Sequence, residues 1–120
     1  MSNLNHIHLH VTSVKRAAAF YERYFGMREL VWHGDMVFMR DVAGMDLALA
    51  PCDALEPFPA WFHIGFRLES KNAVEALFDR VKADGIPIRE PFTSEGDLSF
   101  FRCNDPDGYQ IEVYYEPDPA

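Results

Sequence analysis

The sequence predicts an α+β fold made of two βαβββ modules, and three observations lead to this prediction. The chain of 120 residues has the length of one domain with a single moderate core. The segment His6–Ser13 recurs as His63–Ser70, both with the pattern His-Ile-x-apolar-x-apolar-x-Ser. Each copy is followed by an apolar pattern of helical period and then by three strand-like runs. We therefore expect one domain over residues 1–120, with modules at about 1–50 and 60–116.

The opening segment of each module predicts a strand followed by a helix. Polar and apolar residues alternate in both copies, which is typical of a half-buried strand. Ser13 and Ser70 close these strands, and serine is a favoured N-cap of a following helix. Apolar residues then recur at helical spacing until Gly26 in the first module and Gly85 in the second, and glycine commonly ends a helix.

Three strand-like runs follow each helix, and the final strands of the two modules align. The glycines of two turns, Gly44 and Gly108, fall in register, which sets Ala48 against Glu112. The segment Pro51–Pro59 contains three prolines and no clear period, so it predicts a linker. The predicted strands are Glu29–His33, Met36–Arg40 and Asp46–Ala50 in the first module, and Ile86–Arg89, Leu98–Cys103 and Tyr109–Tyr115 in the second.

Charge and composition exclude several classes of partner. The net charge of −8 and the absence of any basic cluster argue against nucleic acid and anionic membranes. No apolar run reaches the length of a membrane span, and the first residues do not resemble an export signal. Cys52 and Cys103 form neither a CxxC motif nor a disulfide framework. We expect a cytoplasmic protein with two buried thiols and a small-molecule substrate.

The repeat also predicts a metal site. His6 and His63 occupy equivalent places in two equivalent strands, and a pseudo-twofold arrangement would bring them face to face. Glu112 lies centrally in the last strand. Two imidazoles and one carboxylate suit Zn, Mn, Fe or Ni, and they form the facial triad of non-haem iron oxygenases. We predict that these three residues bind one divalent cation and leave coordination positions open; the alternative is that each histidine is an ordinary hydrogen-bonded residue.

Four motifs resemble the vicinal-oxygen-chelate superfamily, also called the glyoxalase/bleomycin-resistance/dioxygenase superfamily, over nearly the whole chain. The resemblance implies a curved mixed sheet around a metal-containing cavity, with ligands at His6, His63 and Glu112. It also implies a homodimer, which fits the tendency of exposed sheet edges to be paired or covered. The site would then be built within one subunit or across two. The motifs are Leu4–Val11, Ala19–Gly26, Phe62–Phe66 and Asp105–Glu112.

The chain departs from the family pattern at two positions. Glyoxalase I proteins commonly have a fourth ligand where this chain has Ala48, whose methyl group cannot bind metal. Extradiol dioxygenases and fosfomycin-resistance transferases often have a tyrosine ten residues before the carboxylate, where this chain has Arg102. Arg102 is a candidate for holding an anionic substrate or an oxyanion, and a solvated arginine at a sheet edge is the alternative.

Strand alternation adds further candidates around the metal. His8 shares the face of His6 and is a candidate general acid or base, with a polar lining role as the alternative. Tyr114 shares the face of Glu112 and is a candidate hydrogen-bond donor to substrate, with plain packing as the alternative. Gly65 is expected to leave room beside the metal.

The function expected from these residues is that of a divalent-metal-dependent enzyme acting on a small substrate with adjacent oxygens. Dioxygenase chemistry ranks first, because an open facial triad binds dioxygen when the metal is Fe(II). A glyoxalase-I-like lyase or isomerase ranks second, with Ala48 against it, and thiol transfer to an antibiotic ranks lower. The non-enzymatic alternative is a metal-free drug- or metabolite-binding protein like those of the bleomycin-resistance branch, which characteristically lack the three ligands.

Overall fold

A computed structural model describes residues 1–118 of the chain and confirms the α+β class and the two βαβββ modules. The chain forms two compact units, Met1–Pro57 and a second that begins at Phe58, here called module 1 and module 2. Module 1 contains β1 (His6–Val11), α1 (Val14–Phe25), β2 (Arg28–His33), β3 (Met36–Arg40) and β4 (Asp46–Pro51); module 2 contains β5 (His63–Arg67), α2 (Lys71–Ala83), β6 (Ile88–Glu95), β7 (Leu98–Asn104) and β8 (Gln110–Tyr115).

The two modules have the same sheet topology. The strand order is β1-β4-β3-β2 in module 1 and β5-β8-β7-β6 in module 2. The first and last strands of each module pair in parallel, and the remaining pairs are antiparallel. One helix packs on each sheet. The fully buried side chains of these cores include Val11, Tyr21, Met39 and Leu49 in module 1, and Val74, Phe101, Ile111 and Val113 in module 2.

Both helices begin and end where the sequence indicates. The hydroxyl oxygen of Ser13 accepts a hydrogen bond from the N–H of Arg16 at 3.2 Å, and Ser70 makes the equivalent bond at 3.1 Å, so both are N-caps. Gly26 and Gly85 follow the two helices with φ of 64° and 80°, which only glycine adopts without strain. Among residues 1–118, no helix is long and apolar enough to cross a membrane.

The edge strand of module 2 is where the strand prediction was wrong. The sequence pattern indicated Ile86–Arg89, but β6 runs over Ile88–Glu95 and contains Pro91. Its pairing with β7 is interrupted by two register shifts. Because β6 is an edge strand, the missing N–H of Pro91 need not remove a ladder bond, and a proline that would break a central strand is tolerated.

Matching turns fix the register of the last strand in each module. One carboxylate oxygen of Asp41 accepts the N–H groups of the second and fourth residues after it, at 3.0 and 2.9 Å. Asp105 makes the same two bonds, both at 2.9 Å. Gly44 and Gly108 lie at the same point of these turns with φ of 91° and 90°. The predicted alignment of the two glycines is thereby confirmed.

Candidate metal centre

The register places the predicted site residues of module 2 in rows across one face of its sheet. Residues paired directly across neighbouring strands point to the same side, because side chains alternate along each strand. Three consecutive rows result, each written in the order β5, β8, β7: His63, Gln110 and Asn104; Gly65, Glu112 and Arg102; Arg67, Tyr114 and Phe100.

His63 is held with one ring nitrogen available as a ligand. Its Nδ1 lies 3.0 Å from the backbone oxygen of Trp61. A carbonyl oxygen can only accept, so Nδ1 donates, and in the neutral imidazole Nε2 then carries the lone pair. Metal-binding histidines are typically oriented by such a bond through the nitrogen that does not bind the metal.

Glu112 faces that lone pair. The distance from His63 Nε2 to Glu112 Oε2 is 3.6 Å, too long for a good hydrogen bond. Two ligand atoms about 2.1 Å from one ion, at a near-tetrahedral angle, lie about 3.4 Å apart. The separation of these two atoms therefore matches that of two ligands of one cation. Both side chains are part-exposed, at 35% and 23%, so an ion can reach them.

Arg102 contacts the predicted metal ligand itself. Its Nη2 and Nε lie 3.1 and 3.3 Å from Glu112 Oε1. The guanidinium therefore occupies one carboxylate oxygen, while Oε2 of Glu112 remains directed at His63. The sequence suggested Arg102 as a group for a substrate anion. The structure adds a second role, because a charge-assisted bond of this kind also fixes the orientation of Glu112.

His6 in module 1, like His63, has its Nδ1 atom within hydrogen-bond distance of an oxygen. Its Nδ1 lies 3.1 Å from the side-chain oxygen of Asn5, and an amide oxygen accepts. With Nδ1 as the donor, Nε2 carries the lone pair in the neutral imidazole. His6 is exposed on β1, and its ring packs against Phe38 with centroids 6.3 Å apart. Across residues 1–118, no three His, Cys, Asp or Glu side chains are gathered into a group that could hold a metal ion.

Module 1 has no carboxylate where module 2 has Glu112. Ala48, 1% exposed, occupies that place, confirming the predicted alignment of Ala48 with Glu112. The nearby carboxylate of Asp46 is engaged by Arg40, whose Nε and Nη2 lie 2.6 and 2.9 Å from its two oxygens. These hydrogen bonds lower the pKa of Asp46 below its ordinary value, against the opposing effect of desolvation. Both carboxylate oxygens of Asp46 are therefore hydrogen-bonded to Arg40.

The strand-face prediction for β1 is confirmed. Leu9 and Val11 are buried on one face, and His8 and His10 are exposed on the other with His6. The rings of His8 and His10 meet edge to face with centroids 5.1 Å apart. In module 2, Tyr114 is half-buried on the face of Glu112, as expected from alternation.

Two more polar residues lie beside the site: Gln110, which strand alternation places on the face of Glu112, and Asn104, which sequence reasoning did not identify. Gln110, 7% exposed, donates a hydrogen bond to the backbone oxygen of Ala60. Together with the bond from His63 to Trp61, it ties the segment before β5 to the site face. Asn104, paired with Gln110, has a buried side-chain oxygen that finds no hydrogen-bond partner within residues 1–118. The sequence signal for Gln110 was its spacing of two residues from Glu112, whereas the position of Asn104 depends on the pairing of β7 with β8.

The thiols play no part in this site. Cys103 is fully buried, and burial together with the negative charge of Asp105 raises its pKa to about 12. It is therefore protonated and unreactive near neutral pH. Cys52 is half-buried rather than buried, and its thiol donates to the backbone oxygen of Val11 at 3.6 Å.

Comparison with known proteins gives a family and several relatives. A model of the Glyoxalase/Bleomycin resistance protein/Dioxygenase superfamily matches residues 3–113. A manganese-dependent 2,3-dihydroxybiphenyl 1,2-dioxygenase of Geobacillus genomosp. 3 is 26% identical over 121 residues. That match covers 97% of this chain and 37% of the dioxygenase, so this chain spans little more than a third of the relative's length.

Two solved structures are similar throughout. One from Bacillus cereus, described as a possible glyoxalase, is 32% identical, with a TM-score of 0.82 over 94% of this chain and 98% of that chain. A genomically encoded fosfomycin resistance protein from Listeria monocytogenes is 24% identical, with a TM-score of 0.83 over 98% and 95% of the two chains. At that identity the second similarity concerns the fold alone.

Proposed function

The chain belongs to the Glyoxalase/Bleomycin resistance protein/Dioxygenase superfamily, and we propose that it is an enzyme dependent on one divalent metal ion. Its substrate is a small molecule with two adjacent oxygens. The ligands are His63 and Glu112 of module 2 and His6 of module 1. The last comes either from the same chain or from the second chain of a homodimer.

The observation that carries this proposal is the pairing of His63 with Glu112. Their Nε2 and Oε2 atoms lie 3.6 Å apart, within ion-pair distance but too far for a good hydrogen bond. Each is fixed by a second contact, His63 by the Trp61 carbonyl and Glu112 by Arg102. Metal sites typically hold their ligands in orientation through such second contacts. A solvated histidine does not require them.

The bound metal would supply Lewis-acid stabilisation of negative charge on the substrate oxygens. The protein groups then have separate tasks. Arg102 holds Glu112 and offers its remaining N–H groups to an anionic substrate. His8, on the face of His6, accepts or returns a proton. Tyr114, on the face of Glu112, donates a hydrogen bond to substrate.

Ring-opening dioxygenase chemistry on a catechol-type substrate is the reaction we propose first. Two histidines and one carboxylate form the ligand set of non-haem iron oxygenases, which need open positions. Ala48 supports an open site, because it provides no fourth ligand. The Geobacillus relative, named a manganese-dependent dioxygenase, points in the same direction.

A glyoxalase-type lyase is the second candidate. The Bacillus cereus relative, at 32% identity, is described as a possible glyoxalase. Against this candidate stands Ala48, which removes the ligand that glyoxalase I proteins commonly have.

The test begins with metal analysis of untagged protein purified without added metal. The apo protein is then loaded separately with Fe(II), Mn(II), Ni(II) and Zn(II), and assayed for oxygen uptake with catechols and for glyoxalase activity. One metal per chain with iron- or manganese-dependent oxygen uptake supports the first reaction, and nickel- or zinc-dependent glyoxalase activity supports the second. A protein that retains none of these metals overturns the proposal and favours a metal-free binding protein.

The origin of His6 can be tested by mixing variants. Light scattering first determines whether the protein is a dimer, and a monomer at micromolar concentration excludes a shared site. If the site joins two chains, mixed dimers of His6→Gln and Glu112→Gln contain one intact site and one doubly altered site. About a quarter of the wild-type metal content then returns upon random mixing. If each site lies within one chain, mixing restores nothing.

A further inference from the structure

We propose that module 1 has a binding site for a phosphate group, free or carried by a small metabolite, where β2 begins and β3 ends. A cleft of about 270 Å³ lies there, beside the turn that leads to β4. It is smaller than the pockets that hold drug-sized ligands and suits a small anion. The residues that line it are Gly26, Arg28, Arg40, Asp41, Val42 and Gly44.

Two arginines line this cleft from neighbouring strands. Arg28 of β2 is paired directly with Arg40 of β3, so the two side chains lie on the same side of the sheet. Like charges that lie directly opposite each other destabilise a strand pair. An anion bound between them would remove that repulsion, and the planar fork of N–H groups of arginine matches phosphate oxygens.

The two arginines differ in how they are held. Nε and Nη2 of Arg40 are bonded to the oxygens of Asp46, which fixes the guanidinium and leaves three of its five N–H groups for another acceptor. Arg28 is exposed, and its guanidinium has no hydrogen bond or ion pair within residues 1–118. The cleft therefore combines one arginine of fixed orientation with one that has no anionic partner.

The turn after β3 adds a backbone donor. The N–H groups of residues 43, 44 and 45 are all bonded to oxygens of Asp41. The N–H of Val42, which also lines the cleft, has no acceptor in the described part of the chain. Backbone N–H groups in turns commonly bind phosphate. Donors are thus available from β2, β3 and the turn, which favours a phosphate with three or more oxygens over a carboxylate with two.

Asp41 opposes the binding of an anion. Its Oδ1 atom accepts two backbone N–H groups of the turn, but the residue lines the cleft and its charge is negative. Two arginines, Arg28 and Arg40, and two aspartates, Asp41 and Asp46, cancel in formal charge. We therefore expect weak binding, with a dissociation constant on the order of 1 mM at low ionic strength, which rises as salt is added.

The cleft is separate from the proposed metal centre. In the order β1-β4-β3-β2, the strand that carries His6 lies two strands from β3 and three from β2. At about 4.8 Å per strand, the two arginines lie about 10–14 Å from that strand. A phosphate bound between Arg28 and Arg40 therefore does not contact a metal at His6, and its binding does not require one.

The equivalent positions of module 2 lack these donors. Two residues after the glycine that follows the helix, module 2 has Pro87 where module 1 has Arg28. One residue after the aspartate of the turn, it has Pro106, and proline has no backbone N–H. Asn104 stands at the place of Arg40. The proposed site therefore belongs to module 1 alone.

The test is a titration of metal-free protein with inorganic phosphate and, separately, with glycerol phosphate, near neutral pH and at low ionic strength. Two-dimensional ¹⁵N–¹H NMR spectra report the backbone signals, and the tighter ligand identifies the source of the phosphate. We expect saturable shifts at Arg28, Val42 and Gly44. Arg28→Gln should weaken binding at least about fivefold, because its charge-assisted bonds are lost.

A second variant should act in the opposite direction. Asp41→Asn removes a repelling charge and keeps a side-chain oxygen for the hydrogen bonds of the turn, so it should tighten phosphate binding by about threefold. Damage to the fold would weaken binding in both variants, and the dispersion of the same NMR spectra verifies that each variant is folded.

The matched control is Arg89→Gln on β6, which removes an exposed arginine that also has no hydrogen bond or ion pair within residues 1–118. It should leave phosphate binding unchanged. The proposal is overturned if Arg28→Gln binds phosphate as tightly as wild type, if Arg89→Gln weakens binding equally, or if acetate binds as tightly as phosphate. Since the protein is metal-free throughout, the outcome is independent of whether His6, His63 and Glu112 hold a catalytic metal.

Discussion

The two modules have the same sheet topology but differ in the chemistry of equivalent positions. Ala48 in module 1 and Glu112 in module 2 occupy equivalent places on β4 and β8. Their neighbours on the adjacent antiparallel strands are Phe38 and Arg102. The apolar pair of module 1 therefore corresponds to an ion pair in module 2. Strand pairing and turns specify the scaffold, while the side chains of this row determine whether it carries an ion pair.

A second row is charged in module 1, whereas the equivalent pair of module 2 is uncharged. Arg40 and Asp46 form a bidentate ion pair in module 1. Their counterparts in module 2 are Asn104 and Gln110, two uncharged amides. Each of these two rows therefore has an ion pair between its last two strands in one module and an uncharged pair in the other. In module 1 the carboxylate is occupied by arginine through both oxygens, whereas Glu112 keeps one oxygen for another partner.

The largest effect should come from removing the charge of Glu112. Glu112→Gln keeps the shape but removes the negative charge, so metal affinity should fall by about a hundredfold or more, since a ligand is lost outright. Folding should be little changed, because the side chain is part-exposed. Metal content after dialysis against a weak chelator measures the affinity, and thermal unfolding of the apo proteins measures stability.

The control for that experiment is Glu75→Gln, on the exposed surface of α2. It carries the same change of charge at a place that has no role in the proposed site. Equal metal content in wild type and Glu112→Gln would show that the difference between the two modules has no bearing on metal binding.

The matching aspartate turns should give the next largest effect. Asp105→Ala leaves two backbone N–H groups without their acceptor and should lower the free energy of unfolding by about 2–3 kcal/mol. Asp41→Ala removes the same two bonds, but Asp41 is half-exposed and Asp105 only 4% exposed. Because water reaches the first turn more easily, its loss should be about 1 kcal/mol. Urea unfolding of both variants tests this, and an equal or reversed order contradicts it.

Much of the fold was predictable because the residues that mark the repeat act on the backbone close to them in sequence. Ser13 and Ser70 at helix starts and Gly44 and Gly108 in turns act through nearby backbone groups, and those positions were all confirmed. The extent of β6 beyond Arg89 was not predicted, because Pro91 normally argues against a strand and is tolerated only because β6 lies at the edge of the sheet.

The site was less predictable, because its contacts cross strands. The placement of His63 and Glu112 on one face followed from strand alternation and alignment. The bond of Arg102 to Glu112 depends on pairing between β7 and β8, which sequence spacing does not specify. The Arg40–Asp46 ion pair was not predicted for the same reason. It depends on the pairing of β3 with β4, and each residue taken alone is typical of a solvent-exposed charge.

Lowering the pH should remove the stabilising effect of the Arg40–Asp46 ion pair of module 1. The pKa of Asp46 is lowered by its hydrogen bond with Arg40, so the carboxylate contributes stability above the pKa of an unfolded aspartate, about 4. That contribution is lost as pH falls through the lowered pKa of the folded state. Asp46→Asn should therefore have a lower melting temperature at pH 7, and the difference should shrink below pH 4 or so. Melting curves from pH 7 to pH 2.5 measure this; a difference that stays constant throughout would contradict the assignment.

The smallest effect on stability is expected at Gly65, where module 1 has His8 at the equivalent position of its first strand. The backbone there is not left-handed, and an added Cβ would meet only the Cε1 atom of Tyr114, at 3.7 Å, an ordinary contact. Gly65→Ala should therefore change the free energy of unfolding by less than about 1 kcal/mol, and the reduced entropy of the unfolded chain favours a gain. Gly108→Ala, at a φ of 90°, should be clearly destabilised and serves as the contrast.

The same substitution separates space from ligation at the proposed site. The methyl group of Gly65→Ala projects beside Glu112 but removes no ligand, so metal content should match that of wild type. Substrate should bind less well, with KM raised by more than kcat is lowered, because only the room next to the carboxylate has changed. Parallel measurement of metal content and steady-state kinetics tests this. Unchanged KM alongside unchanged metal content would mean that substrate does not approach this row, and that the contrast between Gly65 and His8 concerns packing alone.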